Sequence, residues 1–363
     1  MKTLVINDLH LGVQRSGGTT RQSAEELREW GHQQHARLLN IAAETGCSDV
    51  IVNGDLSDVY DLPLAQALEI YSVADAFLTA NPGIRLYWAL GNHDLSKDSA
   101  RLGTVAFIGA ILSAKYTNFY LVNSPQLVNP DSYVIPHVPN QDLFELELDR
   151  VPDCTKWLFL HVNFDSSFAM QADHSLNLSR DQAKALKARG VTMVLGHEHQ
   201  GREMLGGSVI IVGNQHPTSV SDCLPHGDAQ KEGTKHALII DHDAGTCEYL
   251  TTWTPDDADG WYAEVDWKEL ADVEEEGRGF IRVVGDATVA ESSDAIKAIA
   301  TFRQRSKSFV VTNAVKVESL ESLEELAESI EDVRSVNVAE MLMELLDPKE
   351  REVVQSLFEK DEQ

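Results

Sequence analysis

The chain has 363 residues, with 58 Asp and Glu against 30 Lys and Arg, and its formal net charge is −28. Its length favours one large domain plus a smaller one, and a hydrophobic content of 43% supports a substantial core. The negative charge disfavours indiscriminate binding to nucleic acid or to an anionic membrane. A polyanionic substrate would therefore have to be recruited by a local basic patch, a metal site or a partner.

The cysteines and the N-terminus indicate the compartment. The four cysteines form no CxxC pair, which is typical of a reducing compartment and disfavours a cysteine zinc site. The N-terminal MKTLVINDLH has too short an apolar run for a signal peptide, and no other run approaches the length of a membrane span. We therefore expect a soluble cytoplasmic protein without a membrane partner.

Residues 1–255 alternate short β-rich runs with longer helical patterns, which predicts an α/β fold with covered sheets. The predicted strands are 4–6, 50–52, 86–90, 133–135, 157–161, 193–195, 209–212 and 237–240. The predicted helices are Ser23–Glu44, Leu64–Thr79 and Arg180–Arg189. Several of the strands end in a glycine or a polar cluster, and open α/β folds bind ligands outside those strand ends.

The composition becomes still more acidic after Trp253, which marks a second part of the chain. Strands at 280–284 and 308–317 and a helix from about Ser292 to Arg303 predict a small β-α-β unit, here called the capping module (residues 256–317). Residues 318–363 combine an acidic linker with two short amphipathic helices. These helices either pack on their own domain or dock a partner through Met341, Leu342, Leu345, Val354, Leu357 and Phe358.

Five polar clusters follow apolar runs in the first 255 residues: NDLH (7–10), NGDLSD (53–58), GNHD (91–94), LHVN (160–163) and VLGHEHQG (194–201). Oxygen and imidazole donors without thiolate suit Mn, Fe or Zn better than Mg or Ca. Seven such donors are too many for one ion and about right for two ions that share a carboxylate. They are Asp8, His10, Asp55, Asn92, His161, His197 and His199.

The order DxH, GDxxD, GNHD, H and GHxH, each after a predicted strand, resembles the calcineurin-like metallophosphoesterase superfamily over residues 1 to about 250. The resemblance implies a sandwich of two central mixed sheets flanked by helices, with a small α+β capping domain and a C-terminal helical tail. It also implies two divalent metal ions. Mn2+ is the expected ion, and Fe or Zn are the alternatives. Their implied ligands are Asp8, His10 and His199 for the first ion and Asn92, His161 and His197 for the second, with Asp55 bridging.

The resemblance further implies the roles of three residues that bind no metal. His93 matches the catalytic histidine, and Asp58 matches the carboxylate that orients it. Asp94 would hold the metal ligands in position without binding the metal itself. Two cations about 3.5–4 Å apart would neutralise the phosphate and activate a water molecule. A protonated His93 could then donate to the leaving oxygen or stabilise charge on the phosphoryl oxygens.

The remaining histidines match no ligand motif, and we expect each to be structural or on the surface. They are His32, His35, His137, His174, His216, His226, His236 and His242.

A narrower resemblance is to the SbcD-like, Mre/Rad-type nuclease subunits of DNA repair. NDLHLG (7–12) is similar to their opening, and NQHPTSVSD (214–222) resembles their Gly-Ser-Pro-type loop, with Asn-Gln-His replacing the usual small residues. The order of the C-terminal elements is similar to that in recombination-endonuclease subunits of large tailed phages. This resemblance implies an exonuclease or endonuclease that works with an SbcC-like coiled-coil ATPase of the ABC type, in the host cytoplasm if phage-encoded. Whether two copies form a homodimer is left open.

Basic residues that could contact DNA fall into two groups, although isolated surface arginines are usually only solubilising. The first group follows the NDLH and GNHD motifs and consists of Arg15, Arg21, Lys97 and Arg101. The second lies in the C-terminal region and consists of Arg303, Arg305 and Lys307. Two other functions are compatible with the same fold. One is a stand-alone phosphodiesterase or phosphatase acting on a nucleotide or phosphoprotein, and the other is a non-catalytic scaffold on the same fold, which the full set of donors disfavours.

Overall fold

The computed structural model describes residues 1–13, 20–96, 101–166, 175–224, 233–275 and 277–317. The predicted linker and helical tail, 318–363, lie outside these residues, together with all six candidate partner contacts. No helix in the described ranges is long and apolar enough to cross a membrane.

The described residues form seven α-helices and nineteen strands. The helices are α1 (Arg21–Glu44), α2 (Leu64–Ala80), α3 (Thr104–Lys115), α4 (Gln141–Asp149), α5 (Arg180–Ala188), α6 (Val220–Cys223) and α7 (Ser292–Arg305). The strands are β1 (Lys2–Ile6), β2 (Asp49–Asn53), β3 (Arg85–Ala89), β4 (Phe119–Val122), β5 (Gln126–Asn129), β6 (Ser132–Ile135), β7 (Trp157–His161), β8 (Asn163–Phe164), β9 (Asn177–Leu178), β10 (Thr192–Gly196), β11 (Arg202–Met204), β12 (Val209–Ile211), β13 (Lys235–Asp241), β14 (Thr246–Trp253), β15 (Trp261–Asp266), β16 (Gly279–Val284), β17 (Asp286–Ala287), β18 (Val310–Asn313) and β19 (Lys316–Val317).

The first sheet has six strands in the order β14-β13-β1-β2-β3-β4. Strands β1 to β4 are parallel, whereas β13 and β14 add to one edge in antiparallel pairing, so the sheet is mixed. Helices α1, α2 and α3 cover its outer face, where Leu38, Ile70 and Val105 share one apolar cluster with Val50. Burial on both faces explains why the central strands read as continuous apolar runs.

The second sheet, β11-β12-β10-β7-β6-β5, is also mixed, because its four central strands are parallel and both edge strands are antiparallel. Phe144 of α4 and Leu186 of α5 pack on its outer face. The two sheets meet through a separate apolar cluster that includes Val5, Ile51 and Phe159. The predicted α/β sandwich of two mixed sheets flanked by helices is therefore confirmed.

The capping module contains a parallel sheet, β15-β16-β18, with α7 packed on it. Its strand β15 was not predicted, because WYAEVD combines half-exposed apolar positions with acidic ones and carries a weak strand pattern. A further apolar cluster joins the module to the rest of the chain, with Trp30 of α1 against Phe280 and Phe309. The module is therefore packed directly on the sandwich.

Candidate metal centre

All seven predicted metal ligands follow, or end, parallel strands of the two sheets. Asp8 and His10 come after β1, Asp55 after β2, and Asn92 after β3 in the first sheet. In the second sheet His161 ends β7, and His197 and His199 follow β10. The carboxyl ends of parallel strands meet at one edge, so residues far apart in sequence converge there.

The backbone at several of these positions is left-handed. The φ angle is 54° at Asp8, 45° at His10, 49° at Asp55 and 84° at His197. Residues other than glycine adopt this conformation at a cost of order 1 kcal/mol or more, and such strain concentrates at functional sites. These turns allow polar side chains to project into the site directly after a buried strand.

The predicted ligands of the first ion lie together. One ligand atom from each of Asp8, His10 and His199 falls within 4.8 Å of the others. The Nε2 atoms of His10 and His199 are 3.0 Å apart, so the two rings present the same nitrogen to one point. A carboxylate and two imidazoles are suitable donors for a divalent transition metal.

The predicted ligands of the second ion form an adjoining group. Asn92 Oδ1 lies 3.1 Å from His161 Nε2 and 3.0 Å from His197 Nδ1. Asp55 lies between the two groups, with Oδ2 3.1 Å from His161 Nε2 and 3.8 Å from His10 Nε2. This is the place required of a carboxylate that bridges two ions.

Hydrogen bonds hold the ring of His161 and the main chain of His197 in place. His161 Nδ1 donates to the carbonyl oxygen of Asn53 at 2.9 Å, so Nε2 is the ring nitrogen that faces Asn92 and Asp55 and could bind a metal. The backbone N–H of His197 donates to the Asp8 carboxylate, which ties the two ligand groups together. The residues present therefore fit two divalent ions.

The electrostatics of the buried groups also favour cations. Burial opposes charge on Asp55, yet the neighbouring His161, His10 and His93 hold its pKa well below the ordinary value. Burial likewise opposes charge on His161, yet the carboxylates of Asp55 and Asp8 raise its pKa to about 10. The Asp55 carboxylate thus remains ionised. A metal ion bound beside it would displace the proton that His161 otherwise carries.

Asp94 lies behind two of the ligand loops and is bonded to both. It is fully buried, and Oδ1 accepts hydrogen bonds from the backbone N–H and the hydroxyl of Ser57 at 2.9 and 2.8 Å. Its Oδ2 accepts from the backbone N–H of Gly91 at 2.9 Å. Burial and the nearby Asp55 raise its pKa. Asp94 therefore fastens the GDxxD loop to the GNHD loop.

His93 lies exposed at the rim, beside the ligands. Its ring is 4.8 Å from that of His10, measured between centroids. Its Nδ1 donates to the main-chain carbonyl oxygen of Asp58 at 2.6 Å. The Asp58 carboxylate, for which the same orienting role is predicted, lies 3.4 Å from His10 Nδ1. The main chain of Asp58 thus holds the His93 ring, and the role of its carboxylate stays a prediction.

Two glycines of the motifs are required by close approach. A Cβ at Gly54, where φ is +92°, would lie 2.1 Å from His161 Nδ1. A Cβ at Gly91 would lie 2.2 Å from Asp55 Oδ1. Both distances are far below van der Waals contact, so these positions exclude any larger side chain while the ligands stay in place.

Two residues at the site were not predicted as functional. Asp222 accepts a hydrogen bond from His199 Nδ1 at 2.8 Å, and the buried Lys235 donates to the carbonyl oxygen of His199 at 3.2 Å. The signal for Asp222 was its place at the end of the NQHPTSVSD segment. Glu198, between the two histidines, accepts from the backbone N–H of Phe164 and pairs with Arg202, so it faces away from the ligands.

The candidate DNA contacts that the structure describes make local contacts of their own. Arg15 and Lys97 lie outside the described residues, and the exposed Arg21 pairs with Glu25. The exposed Arg101 donates to the Tyr60 hydroxyl at 3.2 Å. In the capping module, Arg303 and Arg305 donate to main-chain carbonyl groups of that module, and the backbone N–H of Lys307 donates to Glu275. DNA contact by these residues stays a prediction.

The sequence and fold were compared with known proteins. The family model described as calcineurin-like phosphoesterase matches residues 1–201. Similar solved structures include an archaeal phosphodiesterase, with 11% identity, 69% of this chain and 99% of that chain covered, and a TM-score of 0.33. Another is a dimetal phosphatase from Danio rerio, with 12% identity, coverage of 70% and 98%, and a TM-score of 0.37.

A search of curated proteins found no match. The family model nevertheless covers more than half of the chain, including every predicted ligand. The donors at the strand ends form the groups that such a protein needs to hold metal ions. The chain therefore belongs to the calcineurin-like phosphoesterase family and is a metal-dependent phosphoesterase.

Proposed function

We propose that this phosphoesterase is a DNA nuclease, the SbcD-like subunit of a complex with an SbcC-like ATPase that processes DNA ends in recombination and repair. The observation that carries hydrolysis is the convergence of seven metal donors with His93 at one edge of the sandwich. Support for DNA as the substrate comes from the NDLHLG opening and from the module that follows residue 255.

The chain's own residues supply the arrangement for hydrolysis. The first ion would be held by Asp8, His10 and His199 and the second by Asn92, His161 and His197, with Asp55 shared. When bound, two such ions neutralise the phosphate and lower the pKa of a water molecule toward neutrality. We propose Mn2+ as the ion, with Fe or Zn as alternatives that the same oxygen and imidazole donors would accept.

His93 is the proposed proton donor. Its Nδ1 is anchored to the Asp58 carbonyl, which leaves Nε2 to exchange a proton with the leaving oxygen of the substrate. Its exposure at the rim places this nitrogen where a phosphodiester can reach it. The backbone N–H of His93 donates to Asp55 Oδ1, which holds the main chain of His93 beside the predicted ligands.

The acidity of the chain is consistent with a partner that grips the DNA. A net charge of −28 opposes binding to a polyanion, and the candidate DNA contacts Arg21 and Arg303 are engaged in local contacts. An ATPase that clamps DNA would supply the missing attraction. The alternative is a stand-alone phosphodiesterase or phosphatase for a nucleotide or phosphoprotein, which the same metal donors would serve.

The test is cleavage of linear double-stranded and single-stranded DNA by the full chain with Mn2+, with and without its ATPase partner. We expect cleavage that requires Mn2+ and that His93→Ala abolishes. Absence of cleavage even with the ATPase present would refute the nuclease. Rapid turnover of a small phosphodiester such as bis-p-nitrophenyl phosphate, together with intact DNA, would support the alternative.

A further inference from the structure

Asp222 lies behind the first ion site, on the short helix α6. It is 4% exposed, and both of its carboxylate oxygens are used. Oδ1 accepts from His199 Nδ1 at 2.8 Å. Oδ2 accepts from the backbone N–H and the hydroxyl of Thr218 and from the hydroxyl of Ser219, each at 2.9 Å. The carboxylate is thus held rigidly, with one oxygen aimed at a metal ligand.

This hydrogen bond decides which nitrogen of His199 can bind a metal. Because Nδ1 donates its proton to Asp222, the lone pair lies on Nε2, the atom 3.0 Å from His10 Nε2. The main chain of His199 is fixed as well, since its carbonyl oxygen accepts from Lys235 Nζ at 3.2 Å and from the backbone N–H of Asn214 at 3.3 Å. Both the ring and the backbone of this ligand are therefore held by residues 214–235.

The second ion site is oriented differently. The corresponding partner of His161 is the carbonyl oxygen of Asn53, a main-chain atom within β2. That partner is fixed by the sheet itself, whereas Asp222 belongs to a four-residue helix outside both sheets. Of these two orienting contacts, only the one to His199 uses a side chain. The position of that side chain depends on what packs against α6.

The capping module packs against α6 and so holds Asp222 in position. Val220 and Cys223, which flank Asp222 on α6, are buried in one apolar cluster with Phe280, Phe309 and Val310 of the module. The rings of Phe280 and Phe309 contact each other in a tilted arrangement, 5.7 Å apart between centroids. A shift of this sheet would move α6, and with it the carboxylate that orients His199.

We infer that Asp222 is a positioning residue for the first metal ion and that the capping module acts on that ion through α6. The physical link runs from the aromatic side chains of the module to Val220 and Cys223, then to Asp222 and to His199. The inference rests on the two-ion site of the proposed function and is independent of whether the substrate is DNA. It assigns the module a role in metal binding, separate from any contact with substrate or partner.

The experiment measures Mn2+ binding to the metal-stripped full chain by calorimetry. Asp222→Asn replaces one acceptor with a donor and should weaken one of the two sites roughly 10–100-fold. Phe309→Ala should weaken the same site by a smaller factor, because it loosens α6 without touching the ligands. Asp153→Asn is the matched control: it makes the same substitution at an exposed side chain paired with Arg189 and should leave both sites unchanged.

Anomalous diffraction from crystals at limiting Mn2+ identifies the weakened site, which should be the one beside His10 and His199. Unchanged binding in Asp222→Asn, or equal weakening of both sites in a folded protein, would overturn the role of Asp222. Loss in Asp222→Asn with none in Phe309→Ala would overturn the role of the module. If Asp222→Asn does not fold, Thr218→Val removes one donor to Oδ2 and should weaken the same site. The DNA cleavage assay is a separate measurement, so failure here is distinguishable from failure of the nuclease proposal.

Discussion

Asp55 Oδ1 accepts a hydrogen bond from the backbone N–H of His93 at 2.9 Å. The carboxylate placed between the two ion sites and the proposed proton donor are therefore joined by a single contact. A change in the position of one is transmitted to the other, which keeps the proton donor in register with the ions. Positioning of this kind is a large part of catalytic power.

Replacement of His93 should remove catalysis while leaving metal binding intact. In His93→Asn the amide can still donate toward the Asp58 carbonyl, but the proton donor is lost. We expect kcat for a small phosphodiester to fall by about 10²–10⁴, with Mn2+ content unchanged. Steady-state kinetics and metal analysis measure the two effects. A variant that retains the wild-type kcat would show that His93 takes no part in proton transfer.

A methyl group at Gly54 should disrupt the second ion site. In Gly54→Ala the new Cβ would lie 2.1 Å from His161 Nδ1, a ring that is itself tied to Asn53. We expect the variant to bind one Mn2+ fewer per chain and to lose phosphodiester hydrolysis. Metal analysis of the purified variant measures the loss.

Gly46→Ala is the control for this variant. Its φ of +69° carries the same left-handed strain, but a Cβ there meets nothing within 4 Å. It should lose about 1 kcal/mol of stability and keep both ions. Two bound ions in Gly54→Ala, or equal metal loss in both variants, would contradict the steric explanation.

His35 should make the free energy of unfolding depend on pH. It is fully buried, neither ring nitrogen has a hydrogen-bond partner among the described residues, and burial lowers its pKa from 6.5 to about 3. Between these values the unfolded chain binds a proton that the folded chain does not. Stability therefore falls as pH falls from about 6.5, by roughly 2 kcal/mol at pH 5.

The measurement is denaturant unfolding of metal-stripped wild type and His35→Leu at pH 7, 6 and 5. Removal of metal keeps ligand protonation from dominating the comparison. The variant should lose about 2 kcal/mol less than wild type between pH 7 and 5. Parallel pH profiles for the two proteins would show that His35 does not carry this dependence.

The helical tail should serve partner binding and not hydrolysis. Deletion of residues 335–363 removes the two amphipathic patterns and none of the metal donors. We expect Mn-dependent hydrolysis of a small phosphodiester to be unchanged and binding of the ATPase to be lost. Co-purification of the truncated chain with the ATPase at the wild-type level would contradict this role.

The metal donors could be predicted because each belongs to a short motif directly after an apolar strand. Asp8 and His199 illustrate this. Each is a metal donor within its own motif, NDLH or VLGHEHQG, and the order of the strands brings the two motifs together. The orientation of His93 could not be predicted, because a main-chain carbonyl of Asp58 performs it and a sequence pattern reports side chains. Asp222 lies 23 residues from His199, and their contact depends on tertiary packing.

The central claim is that this site holds two ions shared through Asp55, and crystals of the wild-type chain soaked in Mn2+ test it most directly. The account predicts two anomalous peaks about 3.5–4 Å apart, one beside Asp8, His10 and His199 and one beside Asn92, His161 and His197. A single peak at saturating Mn2+, or peaks that do not lie among these donors, would contradict it.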